Sequence, residues 1–158
     1  MRRRGPRGLR PKLAELTRIL VVEDFKPYRD VIGTLLAGQK HVRVVGEIAD
    51  GLKAIEEAPK LNPDVILLDI GLPSLNGIEV ARQVSKLLPR SRIIFLTQES
   101  SGDVAQEALR AGGIGYVLKS RAANDLPAAI EAALRGDRFV SSGLTGDEPA
   151  QETAETSR

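Results

Sequence analysis

Residues Pro63 to Pro73 read PDVILLDIGLP: four uninterrupted apolar residues, Val65–Leu68, run straight into an acid, Asp69, and then into a turn. A run this short, made of Val, Ile and Leu with no polar alternation, is the pattern of a strand covered on both faces. Similar runs stand on either side of it, at Ile19 to Val22, Val42 to Ile48, Ile93 to Leu96 and Ile114 to Leu118. Between the runs, apolar residues fall at helical spacing: Tyr28, Val31, Ile32 and Leu35, then Val80, Val84, Leu87 and Leu88, then Leu126, Ile130, Ala133 and Leu134. Each set lays an apolar stripe along one helix. Two weaker segments, Leu52 to Ala58 and Val104 to Ala111, complete the alternation, the first cut short by Pro59 and Pro63. Strand and helix in strict succession, with short connections, predict parallel strands joined by right-handed crossovers, hence a doubly wound α/β domain. In such sheets ligands sit beyond the carboxyl ends of the strands, where strand order reverses.

The 158 residues suffice for one domain with a proper core, plus tails. With 42% apolar and 28% charged residues the composition is that of a globular protein. No apolar run approaches the roughly 18 residues of a membrane span. The opening Met1 to Leu9 is basic and leads to Pro11 and Lys12, unlike a secretory signal. No cysteine is present, which excludes disulfides and thiolate metal sites and fits a cytoplasmic location. The net charge of +2 hides an asymmetry: residues 1–18 carry seven Lys/Arg against one Glu, and residues 141–158 one Arg against four acids. The expected organisation is a basic disordered extension over 1–17, one domain over 18–140, and a polar acidic disordered tail over 141–158.

The polar residues that follow the apolar runs are Glu23 and Asp24, Asp69, Thr97 and Lys119. Any one alone has an ordinary explanation, since a single Asp after a strand usually caps a helix. Taken together they would project into one cleft at the carboxyl edge. Crowded carboxylates repel each other, and a divalent cation relieves the repulsion. Oxygen ligands without His or Cys favour a hard ion, and an open site on a few carboxylates suits Mg²⁺. A carboxylate can also attack phosphorus and form an aspartyl phosphate. Asp69, ending the central apolar run, is the candidate nucleophile. Lys119 would offset charge on the transferring phosphoryl oxygens, and Thr97 would donate a hydrogen bond to one of them.

At these positions the sequence resembles the receiver domains of two-component response regulators, over about residues 18 to 140. The resemblance is carried by Ile19-Leu-Val-Val-Glu-Asp24, Pro63-Asp-Val-Ile-Leu-Leu-Asp69, Leu72-Pro73 with Asn76-Gly77, Leu96-Thr97, and Ala111-Gly-Gly-Ile-Gly-Tyr-Val-Leu-Lys119. Val45-Gly-Glu-Ile-Ala-Asp-Gly51 and Gly136-Asp-Arg-Phe139 look most like the branch that usually carries a LuxR-type helix-turn-helix after the receiver. The resemblance implies a five-stranded parallel sheet of order 2-1-3-4-5, the flavodoxin-like or CheY-like arrangement. It implies phosphorylation of Asp69 by a sensor histidine kinase or phosphotransfer protein, with Mg²⁺ held by Asp24, Asp69 and the Gly71 carbonyl and by Glu23 largely through water. It further implies that Thr97 and Tyr116 move together as a switch that reshapes a partner surface, with dimerisation around Tyr116 as a family expectation.

The sequence departs from the family at a few points. Glu23 replaces the commoner Asp, Ser120 stands where many members have proline after the lysine, Gln98 is bulkier than usual, and Gly71 offers no side chain to govern attacking water. No apolar periodicity follows Phe139, so no helix-turn-helix is expected, and sequence-specific DNA binding by the basic arm is not expected either. The reading is a receiver that acts on an output partner by itself, not an enzyme with an external substrate. The alternative is a transcription regulator whose DNA-binding domain is lost, truncated or separately encoded. A phosphatase that forms an aspartyl phosphate usually needs a second acid at the position of Gly71. A flavodoxin-type cofactor binder needs a phosphate-cradling glycine loop where Glu23 and Asp24 stand.

Overall fold

A parallel sheet of order β2-β1-β3-β4-β5-β6 runs through the computed structural model, which describes residues 16–146. The strands are β1 (Thr17–Val22), β2 (Val42–Ile48), β3 (Val65–Leu68), β4 (Arg92–Thr97), β5 (Gly113–Leu118) and β6 (Phe139–Val140). Five helices connect them: α1 (Lys26–Ala37), α2 (Gly51–Leu61), α3 (Gly77–Leu87), α4 (Gly102–Arg110) and α5 (Ala122–Arg135). A short 3₁₀ turn, Lys119–Arg121, leads into α5.

Alternation along the strands splits the core in two. Leu20, Val22, Ile66, Leu68, Phe95 and Tyr116 point to the side covered by α2, α3 and α4. Ile19, Val21, Val65, Leu67, Ile94 and Val117 point to the side covered by α1 and α5. Because both faces are covered, all four residues of β3 are buried, which is why its sequence shows no polar alternation.

The expected strand order is present, extended by a sixth strand. Two residues are too short to register as an apolar run, but β6 pairs with β5 in parallel, Gly115 opposite Phe139 and Tyr116 opposite Val140. Beyond it, residues 141–146 are laid across the sheet end, where a disordered tail was expected to begin. Ser141 donates its N–H to the Tyr116 carbonyl at 2.9 Å. Its hydroxyl accepts from the Leu118 N–H at 3.1 Å and donates to Asp125 at 2.7 Å. Leu144 packs on the α2–α4 side of the core, and Thr145 exchanges backbone hydrogen bonds with Ser100 and Gly102 around the start of α4. This strap is held largely by backbone pairing and by the Ser141 hydroxyl, hydrogen bonds that leave no trace in hydrophobic patterning. The basic extension apart from its last two residues, and the acidic tail from 147 onward, lie outside the described residues.

Two further expectations are corrected. Helix α2 does not stop at Ala58 but passes Pro59 to Leu61. In the last turn a proline forfeits one hydrogen bond, here to the Ile55 carbonyl. Asn62, left-handed at φ 48°, then closes the helix by donating its N–H to the Ala58 carbonyl. The helical stripes are also narrower than their periodicity suggests, for Val31, Leu87 and Leu134 are exposed.

The turn after β3 is set by the pair Asn76-Gly77. The Asn76 side chain accepts from the N–H groups of Ile78 and Glu79, capping α3. Gly77 donates its N–H to the Ile70 carbonyl at 2.7 Å. A Cβ added at Gly77 would lie 1.9 Å from the Asp69 carbonyl oxygen, so the backbone comes this close only because the residue is glycine.

Gly77→Ala therefore destabilises the fold by roughly 1–3 kcal/mol or more through overpacking, read as a lower urea midpoint. Ser141→Ala leaves the buried Leu118 N–H without its acceptor and costs about 1–3 kcal/mol. An unchanged urea midpoint for Ser141→Ala would mean that the strap is not bound in solution.

Candidate functional site

Register brings the acids together. β1 pairs with β3 so that Val22 lies opposite Leu68, and the next residues along, Glu23 and Asp69, emerge side by side at the carboxyl edge. The ladder continues past both strands, with the Glu23 N–H donating to the Ile48 carbonyl at 2.9 Å and the Asp69 N–H to the Val22 carbonyl at 3.1 Å. This is where strand order reverses, β2 lying on one side of β1 and β3 on the other. On β4 and β5, Thr97 lies opposite Leu118, so Lys119 reaches the same edge from the far side. Glu23, Asp24, Asp69, Gly71, Thr97 and Lys119 all line one open cleft of about 520 Å³.

Within the cleft the Lys119 ammonium is 2.7 Å from Glu23 Oε1 and 3.2 Å from Asp69 Oδ2. Only the second contact has the direction of a hydrogen bond, so Glu23 Oε1 is buried without a directed partner. The other oxygens are engaged by backbone: Glu23 Oε2 accepts from the Phe25 N–H at 3.1 Å, and Asp69 Oδ1 from the Ile70 N–H at 2.7 Å. Arg29 braces the loop by donating to the Glu23 carbonyl at 2.9 Å. Glu23 is 1% exposed, and burial raises its pKa above the usual carboxylate value; the Lys119 contact and the Phe25 N–H oppose that shift, and Asp69 adds to it.

Carboxylate oxygens of Glu23, Asp24 and Asp69 lie within 4.8 Å of one another. Three carboxyl groups here share the single Lys119 ammonium. Glu23 Oε1, ion-paired with Lys119 but without a directed hydrogen bond, and the exposed Asp24 carboxylate offer oxygen to a cation at the cleft. This donor set, all oxygen and open to solvent, fits a hard divalent ion.

Thr97 is buried, and its hydroxyl accepts from the Glu99 N–H at 3.3 Å. Tyr116 does not line the cleft. It is fully buried on the α2–α4 side, its ring 6.2 Å from that of Phe95, and its hydroxyl donates to the Glu99 carbonyl at 2.8 Å. Thr97 and Tyr116 therefore meet through the two backbone groups of one loop residue. Burial, with the Glu99 and Asp69 charges, raises the Tyr116 pKa beyond the ordinary phenol range.

Reading of the sequence passed over three residues here. Glu99 works through its backbone, which no side-chain pattern reveals. Phe25, 60% exposed at the cleft rim, is an aromatic in a loop, and its position directly after the acidic pair was the available signal. Tyr28 counted only as an apolar helix residue, yet its ring lies beneath the Lys119 ammonium, 4.7 Å from Nζ to the centroid.

Comparison with known proteins agrees with this geometry. The response regulator receiver domain family matches residues 19–131. The chain is 32% identical over 131 residues to the transcriptional regulatory protein LiaR of Bacillus subtilis, covering 83% of this chain and 62% of that one. It is 35% identical over 120 residues to the response regulator protein VraR of Staphylococcus aureus, covering 76% and 57%. The chain thus spans about three fifths of the length of these relatives. Among solved structures, a LuxR-family two-component response regulator from Aurantimonas superposes with a TM-score of 0.77 at 33% identity, covering 85% of this chain and 93% of that one. The response regulator domain of Thermotoga maritima CheB gives 0.71 at 32% identity, covering 76% and 97%. Sheet order, the acidic cleft and these matches agree: the chain belongs to the response regulator receiver domain family.

Proposed function

We propose that this chain accepts a phosphoryl group on Asp69 from a phosphohistidine of a sensor kinase or phosphotransfer protein, in the cytoplasm, and passes the change to an output partner. The observation that carries the reading is the pairing of Lys119 with Asp69 Oδ2 beside two further acids at the point where strand order reverses. An Asp69 carboxylate oxygen attacks phosphorus, the P–N bond breaks, and the imidazole leaves and regains a proton. Asp69 is held for attack by the Ile70 N–H and by its place at the end of a buried strand. Lys119, already in the cleft, moves its positive charge onto the phosphoryl oxygens. Glu23, Asp24, Asp69 and the Gly71 carbonyl would hold Mg²⁺, which when bound neutralises part of the charge on the phosphoryl oxygens.

The Thr97 hydroxyl, turning toward a phosphoryl oxygen, gives up its contact with the Glu99 N–H. The loop that then shifts also holds the Tyr116 hydroxyl, so occupancy of Asp69 is passed to the α4–β5 surface. A second reading, a transcription regulator working with a separate DNA-binding module, is favoured by one observation: the relatives are longer, and LiaR is named a transcriptional regulatory protein.

Incubation with acetyl phosphate and Mg²⁺, followed by intact mass, yields a single phosphoryl adduct that is absent without Mg²⁺ and absent in Asp69→Asn. Labelling of Asp69→Asn at the wild-type level would sink the assignment. Asp24→Ala weakens Mg²⁺ binding by at least about tenfold, since loss of even an outer-shell partner of a metal ligand typically costs roughly 10- to 100-fold; a calorimetric titration checks it.

A further inference from the structure

Lys119 is gripped by a residue that takes no part in the phosphoryl chemistry above. Tyr28 lies in the first turn of α1, half-buried, and touches Lys119 at both ends. Its ring faces the ammonium at 4.7 Å from Nζ to the centroid. Its hydroxyl donates to the Lys119 backbone carbonyl at 3.1 Å, across 91 residues of sequence. The 3₁₀ turn that begins at Lys119 has no side-chain cap and continues through Ser120 and Arg121. The Lys119 carbonyl accepts from the Ala122 N–H within this turn, and the Tyr28 hydroxyl adds a second bond to it from another element.

We propose that Tyr28 is a positioning residue for Lys119: its hydroxyl anchors the lysine backbone, and its ring seats the ammonium over the cleft. The inference rests on the receiver reading and deepens it. A lysine stem is flexible, and holding it in one arrangement beforehand removes that cost from the transfer step. An aromatic face suits the task. It attracts an ammonium less strongly than a carboxylate does, so Lys119 can leave Glu23 and follow the phosphoryl oxygens while its stem stays guided. Burial, with the charges of Glu23 and Asp69 nearby, pushes the Tyr28 phenol up to about 12, so the ring stays neutral and the hydroxyl remains a donor across the working pH range.

The test is a double-mutant cycle read by the rate of phosphorylation from acetyl phosphate at saturating Mg²⁺, with Mg²⁺ affinity and the urea midpoint measured alongside. Tyr28→Leu, which loses both contacts, slows phosphorylation about 3- to 30-fold, the range that a partly desolvated cation–ring contact supports. Tyr28→Phe, which keeps the ring, loses less. In Lys119→Ala, followed for hours, Tyr28→Leu causes no further loss, and Mg²⁺ affinity in Tyr28→Leu stays at the wild-type value because the carboxylates are untouched. An unchanged rate in Tyr28→Leu, an equal loss in both backgrounds, or a shifted Mg²⁺ affinity overturns the assignment, the last two pointing to a general loosening of the site. A wild-type chain that takes no label sinks the receiver reading, and this inference falls with it; a labelled wild type with an indifferent Tyr28 sinks this inference alone.

Discussion

Carboxylates forced to within 4.8 Å of one another set the terms on which the carboxyl edge of this sheet can exist. Lys119 is the counter-charge, reached from β5 across the width of β3 and β4, and it lies between Glu23 and Asp69 with little exposure to water. One ammonium does not balance three acids. The arrangement is costly in a folded domain, because burial disfavours the charged form of Glu23. It persists because the ladder between β1 and β3 fixes the two acids by backbone, whatever their side chains prefer. The same rigidity that creates the repulsion also holds the Asp69 carboxylate at a fixed place.

Much of this was legible in the residues. The strand at Val65–Leu68 appears with the expected bounds, since a buried parallel strand has little freedom in composition, and Val42–Ile48 does so as an edge strand in which only Ile48 is buried. The strand-end residues Glu23, Asp24, Asp69, Thr97 and Lys119 meet in one cleft, because the topology follows from the alternation and the site from the topology. What escaped was carried by main chain or by partners remote in sequence. Strand β6 and the strap depend on backbone hydrogen bonds to Tyr116 and Ser100 that any residue can make, and on the Ser141 hydroxyl, which accepts from the Leu118 N–H 23 positions away. Glu99 joins Thr97 to Tyr116 through its own N–H and carbonyl. Tyr28 has the spacing of a core residue and spends its hydroxyl on a carbonyl 91 positions away.

The division of the core into two clusters also sorts the polar roles. The α1–α5 side contributes the braces of the cleft, Arg29 on the Glu23 carbonyl and Tyr28 on Lys119. The α2–α4 side contributes Tyr116, sealed beneath the β4–α4 loop. The cleft thus lies between one face that braces Glu23 and Lys119 and another whose Tyr116 is joined to Thr97 through the loop at Glu99.

The two rims of the sheet show how the chain stays out of trouble with its own copies. A bare strand edge invites pairing with another chain. At one rim, β2 carries exposed Arg43 and Glu47, and a bulge opposite Ile19 and Leu20 spoils its register. At the other, β6 offers only two residues before the chain turns away along Ser141 to Thr145 and covers the end of β5. Neither rim is a long, flat template. The last strand therefore closes off edge-to-edge stacking as well as extending the sheet, and losing it would leave the apolar β5 as an open seed for aggregation.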